Sequence, residues 1–542
     1  MQRNDSGLVS EVLLEFQHVV QMIVFQVLMK YSCVKKDKAK SSLCTLNPGL
    51  ADISWFRKNR LLLVFLLTFG MHQSVFAEDN QDIAIPADLG SYSGKKAFSF
   101  VLGGYFRNET AYRFDEPRSF TKIRNTASLN AKLDLGSWAR FYASGRAYYD
   151  SVYDFVNFET IASRVKRDEL EPLVFVEQLP EEKDQERQEL REAYLDLYLD
   201  NFDFRVGKQF IIWGVLEGLR IVDEINPMDF RELILPELLD YRIPLWSLKA
   251  NYYGTNTNYE LIWIPELKLH QPAPRGSEWE LFQILDATST PVNYDPYYSE
   301  AGFKITRDIY NTEVSLSFFY TWDDYPSTFR IISREEVSNP TPTENLAILP
   351  TYARMAMYGS TFTREIAGNI LKGEFAYVSG KYFAIEDLYV DGFLFSDGEV
   401  SRDHIRWGLG YDFSFAGADI SPAIAQWVIL GYDDIILMDR FDTTFNLFVR
   451  KPLQKQSAVF SLLFIYLINF DEVYAKPKFT FNLTSRFQVS TGLDLFMGER
   501  SQFGRAFDPN DPGGLVDVRQ QAQFLGNFKD NRRMFVELKY SF

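Results

Sequence analysis

The chain has little cysteine and no long uncharged apolar run. Its two cysteines, Cys33 and Cys44, both precede a predicted cleavage point after Ala77. The mature chain then contains no cysteine, which excludes a disulfide framework, thiol catalysis and a cysteine metal site. A membrane-spanning helix needs about 18 or more apolar residues in succession. The absence of such a run argues against a helical membrane protein.

Histidine and positive charge are also scarce. Two of the four histidines, His270 and His404, follow Ala77. We find no G-x-S-x-G elbow, H-E-x-x-H helix or phosphate-binding glycine loop, and we predict no catalytic residue, no metal site and no cofactor. Residues 1–77 hold nine Lys+Arg and five Asp+Glu, so 48 and 68 of the 57 and 73 remain, a net charge of −20. This balance argues against a nucleic-acid partner.

Aromatic residues are abundant. They make up 16% of the chain, with 47 Phe and 30 Tyr, although the mean hydropathy is only −0.19. A transmembrane barrel places apolar residues at every second position, so its average hydropathy is polar. The composition fits such a barrel or a large all-β soluble protein.

Residues 57–77 have the three parts of a secretory signal peptide. A basic patch at Arg57, Lys58 and Arg60 precedes an apolar run over 61–69, and the small-x-small site 75–77 follows. We predict an N-terminal extension plus signal peptide over 1–77, a periplasmic lead-in over 78–97 and a barrel over 98–542. Residues 1–56 are interpreted either as a start codon placed too far upstream or as a second targeting element.

Segments of alternating apolar and polar residues fill the chain from residue 98 onward. In the last one, 533–542, every second residue from Met534 to the terminal Phe542 is apolar, which predicts a strand with one apolar face. We predict about 18 such strands, with 16 and 20 left open: 98–114, 121–136, 138–152, 189–200, 202–213, 245–254, 256–267, 297–309, 311–324, 354–366, 368–383, 403–416, 418–433, 440–453, 455–470, 474–486, 488–500 and 532–542.

Short and long connections alternate between these segments. Turns of a few residues lie near Ser137, Asn201 and Tyr310, whereas long connections cover 153–188, 214–244 and 325–353. This pattern predicts an all-β fold, a transmembrane antiparallel up-and-down β-barrel with short periplasmic turns and long extracellular loops. The segment 458–468 is apolar on both faces, so its lumen side either packs on an inward-folded loop or forms an apolar strip.

Charged residues that alternate with lipid-facing apolar ones are predicted to point into the lumen, because charges facing lipid are costly. We interpret them either as cross-strand ion pairs that stiffen the wall or as an electrostatic filter. The predicted pore-lining residues are Lys132, Asp134, Arg140, Arg146, Asp196, Arg205, Lys249, Lys304, Lys372, Glu374, Arg406, Asp412, Arg450 and Glu537.

The stretch 202–235 continues a strand into a partly apolar loop. We expect this loop to fold into the lumen or lie across the mouth, either as a gate or as a structural cap. The predicted loop and constriction residues are Gly207, Gln209, Trp213, Gly214, Asn226, Pro227 and Asp229.

Gly207-Lys208-Gln209, Trp213-Gly214 and the run Ile225-Asn226-Pro227-Met228-Asp229 resemble the signature of a proteobacterial outer-membrane barrel family, domain of unknown function 1302. That family is similar to alginate-export and porin-like barrels. The resemblance implies envelope transport of a lipid or polysaccharide with a periplasmic RND-type exporter as partner.

We therefore expect a channel in the outer membrane of a Gram-negative bacterium that passes a solute or an exported molecule. A sealed surface receptor or structural barrel is the alternative, and an outer-membrane hydrolase dependent on His270 or His404 is less favoured. The expected partners are outer-membrane lipid and lipopolysaccharide, the barrel-assembly machinery and a periplasmic exporter.

An acidic cluster is interpreted as a solvated loop or as a divalent-cation bridge to lipopolysaccharide: Glu181, Glu182, Asp184, Glu186 and Glu189. Residues 508–514 are interpreted as a turn rather than a calcium loop.

Overall fold

A computed structural model describes residues 98–162, 182–280, 296–332, 346–385, 389–390, 393–394, 398–453, 457–499 and 524–542. The predicted signal peptide, the lead-in and the turn over 508–514 lie outside these residues.

Eighteen strands of the described residues form one closed antiparallel barrel, in which the first wall strand pairs with both the second and the last. The predicted fold class is thereby confirmed. The barrel strands are β1 (Ser99–Arg113), β2 (Ser119–Leu135), β3 (Ala139–Asp150), β4 (Glu186–Leu199), β5 (Phe202–Gln209), β6 (Leu245–Tyr253), β7 (Thr257–Ile264), β8 (Glu300–Asp308), β9 (Thr312–Trp322), β12 (Arg354–Ile366), β13 (Asn369–Ala384), β16 (Glu399–Phe415), β17 (Ala418–Ile429), β18 (Phe441–Leu453), β19 (Ala458–Leu467), β20 (Glu472–Asn482), β21 (Phe487–Met497) and β22 (Arg533–Ser541).

Two hairpins in the long connections were not predicted. They are β10 (Ser327–Ile332) with β11 (Leu346–Thr351), and β14 (Tyr389–Val390) with β15 (Phe393–Leu394). Three helical turns also lie in connections, α1 (Val152–Phe155), α2 (Phe158–Ile161) and α3 (Leu238–Tyr241). No helix in the described part of the chain is long and apolar enough to cross a membrane.

The connections at the two ends of the barrel differ in length. At one end β4 reaches β5, β8 reaches β9 and β12 reaches β13 through turns of two or three residues, and we call this the turn end. The connection of 35 residues between β5 and β6 leaves from the other end, the loop end. The chain can cross apolar surroundings in this form because a closed barrel pairs the backbone groups of every wall strand.

The outer surface of the wall is apolar. Leu129, Leu261, Leu316 and Leu538 are exposed, each on a different strand and each flanked by residues of the lumen face. The alternation predicted for 533–542 holds as well, because Met534 is exposed whereas Arg533 is buried. This surface suits contact with lipid acyl chains.

The predicted end of the fifth strand was wrong. β5 ends at Gln209 rather than at residue 213. The chain leaves the wall there because Ile211 and Trp213 bury their side chains, and because the Ile211 N–H donates to Asn226 Oδ1 at 2.8 Å instead of to a neighbouring strand.

Candidate functional site

Residues 210–244 form a loop that folds into the barrel, and we call it the inward loop. Gln209 of β5 lies directly opposite Leu245 of β6, so the loop leaves the wall and returns to it at one point. It is therefore an insertion between two residues that pair directly in the wall.

The first half of the inward loop packs on the wall through apolar side chains. Its buried residues are Ile211, Trp213, Leu216, Leu219, Ile221, Val222 and Ile225. They contact buried lumen-side residues of six strands: Leu245, Ile262, Ile264, Phe319, Met355, Met357, Ala376, Val378 and Ala425. Full burial of one such side chain stabilises by about 1.5–3 kcal/mol, so this contact holds the loop firmly on one side of the lumen.

Two wall glycines leave the space that this packing needs. A Cβ atom at Gly408 of β16 would lie 2.3 Å from the Ile221 side chain, and one at Gly302 of β8 would lie 2.7 Å from the Trp213 ring. Both distances are shorter than Cβ contacts allow. A larger residue at Gly302 has to displace the rigid Trp213 ring, whereas one at Gly408 displaces the end of the flexible Ile221 side chain.

Glu374 of β13 anchors the same half of the loop by hydrogen bonds. Its carboxylate accepts the backbone N–H groups of Val215, Leu216 and Val222, the last two at 2.7 and 3.1 Å. Hydrogen bonds to a charged group contribute about 1.5–3 kcal/mol each. Glu374, predicted to line a pore, instead fixes the loop to the wall.

Buried ion pairs hold the turn of the loop. Asp223 pairs with Arg242 inside the loop, and Glu224 lies 2.9 Å from Arg406 of β16. The Arg406 guanidinium also lies 3.8 Å from the centre of the Trp427 ring. Removing one partner of such a buried pair is strongly destabilising.

The Asn226-Pro227 part of the motif closes the loop on itself. Asn226 accepts from the Ile211 N–H and donates to the Ile243 carbonyl at 2.8 Å, and the Pro227 carbonyl accepts from the Ile243 N–H at 2.8 Å. Asp229 accepts from Arg231, so this motif orders the loop by contacts along its own backbone.

The second half of the loop packs on another part of the wall, formed by β19, β20 and β21. Leu233 and Leu235 lie in a cluster with Trp279, Tyr474 and Phe496. The lumen-side residues of β19 pack against this cluster: Leu463, Ile465 and Leu467. Of the two interpretations of the apolar segment 458–468, the structure therefore supports packing on an inward-folded loop.

A charged cleft lies between the loop and the wall formed by β1, β2 and β20–β22. It contains two cavities with about 320 and 500 Å³ of empty space, part of it open to solvent. We call the first the loop-end cavity, because Tyr153, Asp184 and Trp279 line it. We call the second the turn-end cavity, because Asp240, Lys478 and Glu537 line it.

Glu232 stands at the junction of the two cavities. Both cavities are lined by Lys122, Glu232 and Arg533. The Glu232 carboxylate accepts from Lys122 Nζ at 2.8 Å and from Arg124, and it lies 4.0 Å from Arg533. Burial acts to raise the pKa of Glu232, but Arg124, Lys122 and Arg533 outweigh it and hold that pKa well below its ordinary value. Glu232 is therefore ionised and lies where the two cavities meet.

Most of the predicted pore-lining charges lie nearer the turn end and are paired. Asp134 pairs with Arg140 at 2.6 Å and with Lys132 at 3.6 Å, Asp196 with Arg205 at 2.6 Å, Lys372 with Asp412 at 2.5 Å, and Arg450 with Asp419 at 3.9 Å. Lys249 lies opposite Arg205 on the neighbouring strand, and Lys304 lies opposite Glu260. Both interpretations of these charges stay predictions.

Other predicted residues border the loop. Arg146 pairs with Glu189 and with Asp240 of α3, and Glu537 lines the turn-end cavity. Gln209 is buried and donates to the Ser247 carbonyl at 3.1 Å, and the Trp213 indole donates to Glu260. Gly207 adopts a φ of 135° and packs against the β4 backbone, whereas Gly214 lies between Asp223 and Glu374.

The interpretation of the acidic cluster as a solvated loop was wrong for two of its members. Asp184 accepts from Arg231 at 2.7 Å, and Glu189 pairs with Arg146. Both are only slightly exposed, because they face the cationic wall of the cleft rather than water. Glu181 lies outside the described residues.

The predicted pore lining did not include Glu232, Lys122, Arg124 or Arg533. Lys122 and Arg124 lie an even number of residues from Lys132 on β2 and therefore on the same face of the strand. The same alternation could have placed them in the lumen. No periodic signal marks Glu232, because its position depends on the path of a loop.

Each histidine of the described residues contacts the inward loop or its anchor. His270 Nδ1 accepts from the Met228 N–H at 2.8 Å, and His404 Nε2 accepts from Arg406 at 2.9 Å. Both rings therefore help to hold the inward loop and its anchor. No group of side chains suited to a metal ion occurs in the described residues.

One pH dependence follows from Glu278, which lies in the connection after β7. Burial raises the pKa of its carboxyl to about 7, against the opposing charges of Arg113 and Arg533. The folded loop therefore binds this proton more tightly than the open loop does. This proton stabilises the folded loop relative to the open loop by a total of ~3 kcal/mol. The stabilisation is fully present below pH 4.5 and is lost as the pH rises through about 7.

We therefore expect the amides of residues 273–280 to open more readily at pH 8 than at pH 5. Hydrogen exchange corrected for its intrinsic pH dependence measures this, and Glu278→Gln is expected to abolish the difference. Equal opening free energies at the two pH values in the unsubstituted protein would contradict the assignment.

A closed antiparallel wall with an apolar exterior, a charged interior and an inserted loop defines the class of outer-membrane-type transmembrane β-barrels. Residues 108–428 match the family described as "Protein of unknown function (DUF1302)", and the chain belongs to that family. The resemblance predicted from the motif is thus confirmed.

Several solved structures are similar to this chain. OccAB1 of Acinetobacter baumannii has 10% identity and a TM-score of 0.44, over 82% of this chain and 96% of that one. OccK9 (OpdG) of Pseudomonas aeruginosa has 9% identity and a TM-score of 0.42, over 82% and 98%. OmpT, an outer membrane protein of Vibrio cholerae, has 10% identity and a TM-score of 0.35, over 82% and 100%. No curated protein matches the chain.

Proposed function

We propose that the protein is a channel in the outer membrane of a Gram-negative bacterium, and that a solute or an exported molecule passes along the charged cleft. The observation that carries the proposal is the division of the lumen. Both halves of the inward loop pack on the wall, and two adjoining cavities with charged linings remain between the loop and β1, β2 and β20–β22.

A barrel of 16–18 strands leaves an aqueous lumen unless loops fill it. Here the inward loop narrows the lumen, and the described residues leave the cleft beside it. Side chains of both signs line the turn-end cavity, among them Arg107, Lys478, Asp240 and Glu537. Such a lining suits hydrated and charged solutes better than an apolar polymer chain.

In this proposal the turn end faces the periplasm and the loop end faces the exterior. Outer-membrane lipid and lipopolysaccharide surround the apolar wall, and the barrel-assembly machinery inserts it. A periplasmic exporter of the RND type is the partner if the direction of transport is outward. No catalytic role is proposed.

Planar bilayers with the refolded mature chain test the proposal directly. We expect stepwise ion currents, and we expect salt gradients to reveal an ion preference set by the lumen charges. Replacing Arg205 with Gln is expected to shift that preference towards cations, because Arg205 pairs with Asp196, and removing it leaves that carboxylate unneutralised. No current in any condition would contradict a channel.

A second function, that of a sealed surface barrel, has one observation in its favour. Glu374 and the apolar cluster hold the first half of the loop by many contacts at once, as expected of a permanent plug. The same bilayer experiment separates the two, because a sealed barrel conducts only after the inward loop is removed.

A further inference from the structure

Glu232 occupies a site that the wall has built around a carboxylate. Each of the three cations that face it has a second, fixed carboxylate partner on the wall. Lys122 contacts Glu109 at 3.1 Å, Arg124 contacts Asp150 at 3.3 Å, and Arg533 contacts Asp494 at 2.8 Å. The three cations therefore keep their positions when Glu232 leaves, and the site is pre-organised.

The backbone next to Glu232 is strained. Glu232 ends a short 3-10 helix, Phe230–Glu232, in which the Asp229 side chain accepts the backbone N–H of Arg231. The following residue, Leu233, adopts a φ of 54°, a left-handed conformation that residues with a side chain rarely adopt. The strained residue therefore directly follows the carboxylate that the three cations hold.

We propose that Glu232 stands in for the carboxylate of a transported solute. A carboxylate-bearing solute that enters either cavity competes for Lys122 and Arg124, displaces Glu232 and opens the junction between the cavities. This inference rests on the proposed channel function and adds to it a substrate class and a gate.

Three features favour a small carboxylate solute. The site already holds a carboxylate, with the Arg124 guanidinium and the Lys122 ammonium as donors. Arg–carboxylate contacts are among the stronger hydrogen bonds in proteins. The two cavities beside Glu232 are partly open to solvent, so a dissolved carboxylate can reach its neighbours.

The cationic groups continue below the junction. Lys476 and Lys478 of β20 and Arg107 of β1 line the turn-end cavity. Lys476 Nζ donates to the backbone carbonyl of Leu235, in the inward loop. Arg107 pairs with Asp240 at 2.9 Å and Lys478 pairs with Glu237 at 2.9 Å, so a released solute carboxylate has to exchange with these carboxylates along the cleft towards the turn end.

The test compares butanoate with butanamide, which match in size and differ in charge. The mature chain is placed in phosphatidylcholine bilayers, and the concentration of each compound that half-maximally changes the potassium chloride current is measured. We expect butanoate to act at concentrations at which butanamide has no effect. In Glu232→Gln, which removes the internal competitor but keeps its shape, we expect butanoate to act at a concentration lower by about tenfold.

Glu217→Gln is the matched control. Glu217 lies on the same loop and its side chain is exposed, so we expect the wild-type response. Lys122→Met is a second variant, in which the response to butanoate is expected to fall to that of butanamide. It keeps the test decisive if Glu232→Gln fails to fold.

The outcomes separate the two proposals. Equal responses to butanoate and butanamide in conducting wild-type and Glu232→Gln channels would overturn the carboxylate site and leave the channel standing. A butanoate response that needs phosphatidylglycerol in the bilayer would assign the site to a lipid headgroup and overturn the solute proposal. No current in any variant would overturn the channel itself.

Discussion

Replacing Glu374 with alanine is expected to raise the single-channel conductance by at least about twofold, because the inward loop loses its anchor and the lumen widens. The substitution leaves the N–H groups of Val215, Leu216 and Val222 without their shared acceptor. Each buried N–H without a partner costs about 1–3 kcal/mol. The sum is large enough to shift the loop from a packed to a mobile state.

Single-channel recording in planar bilayers measures this effect, together with the low-frequency noise that a mobile loop adds. Glu365→Gln is the matched control, because Glu365 is exposed near the turn end of the neighbouring strand β12 and its loss also removes one negative charge. An unchanged conductance in Glu374→Ala would show that these hydrogen bonds do not hold the loop in place.

Replacing Gly302 with valine is expected to expel the Trp213 indole from the wall. The new Cβ would lie 2.7 Å from Trp213 Cη2 and 2.9 Å from Phe319 Cδ2. Both atoms belong to rigid rings that are almost fully buried, so neither can yield by a small rotation. Overpacking of this kind costs about 1–3 kcal/mol, and the indole also loses its hydrogen bond to Glu260.

The expected readouts are a larger conductance and a red shift of tryptophan emission that disappears when Trp213 is also replaced by Phe. Ala301→Val is the control, because Ala301 is the neighbouring residue of β8 and is exposed on the outer surface. Wild-type emission and current in Gly302→Val would mean that Trp213 does not pack where the structure places it.

The barrel was predictable because its wall is a local property of the sequence. Each strand has to place apolar side chains outward at every second residue, so the alternation along 533–542 and its counterparts marks the strands one by one. The turns near Asn201 and Tyr310 mark the ends of strands in the same local way. The unpredicted hairpins β10–β11 and β14–β15 belong to the connections, where pairing does not have to follow the alternation of the wall.

The path of the inward loop was less predictable because contacts between residues distant in the sequence determine it. Glu374 meets Leu216, 158 residues earlier in the chain, and Gly302 makes room for Trp213. The apolar residues of the loop indicate that it avoids water, but they do not indicate which wall strands receive it. Glu232 was missed for this reason. Its partners Lys122 and Arg124 lie on the same face of β2 as the predicted lumen residue Lys132.

The inward loop divides the lumen, and replacing it with a short turn tests whether it constricts the channel. Gln209 and Leu245 are paired residues of adjacent strands, so a turn of about four residues can replace 210–244 without altering the wall. Single-channel currents of the wild type and of this variant should be recorded in the same bilayers. A conductance several times larger in the variant is predicted, and equal currents in the two proteins would contradict a loop that constricts the lumen.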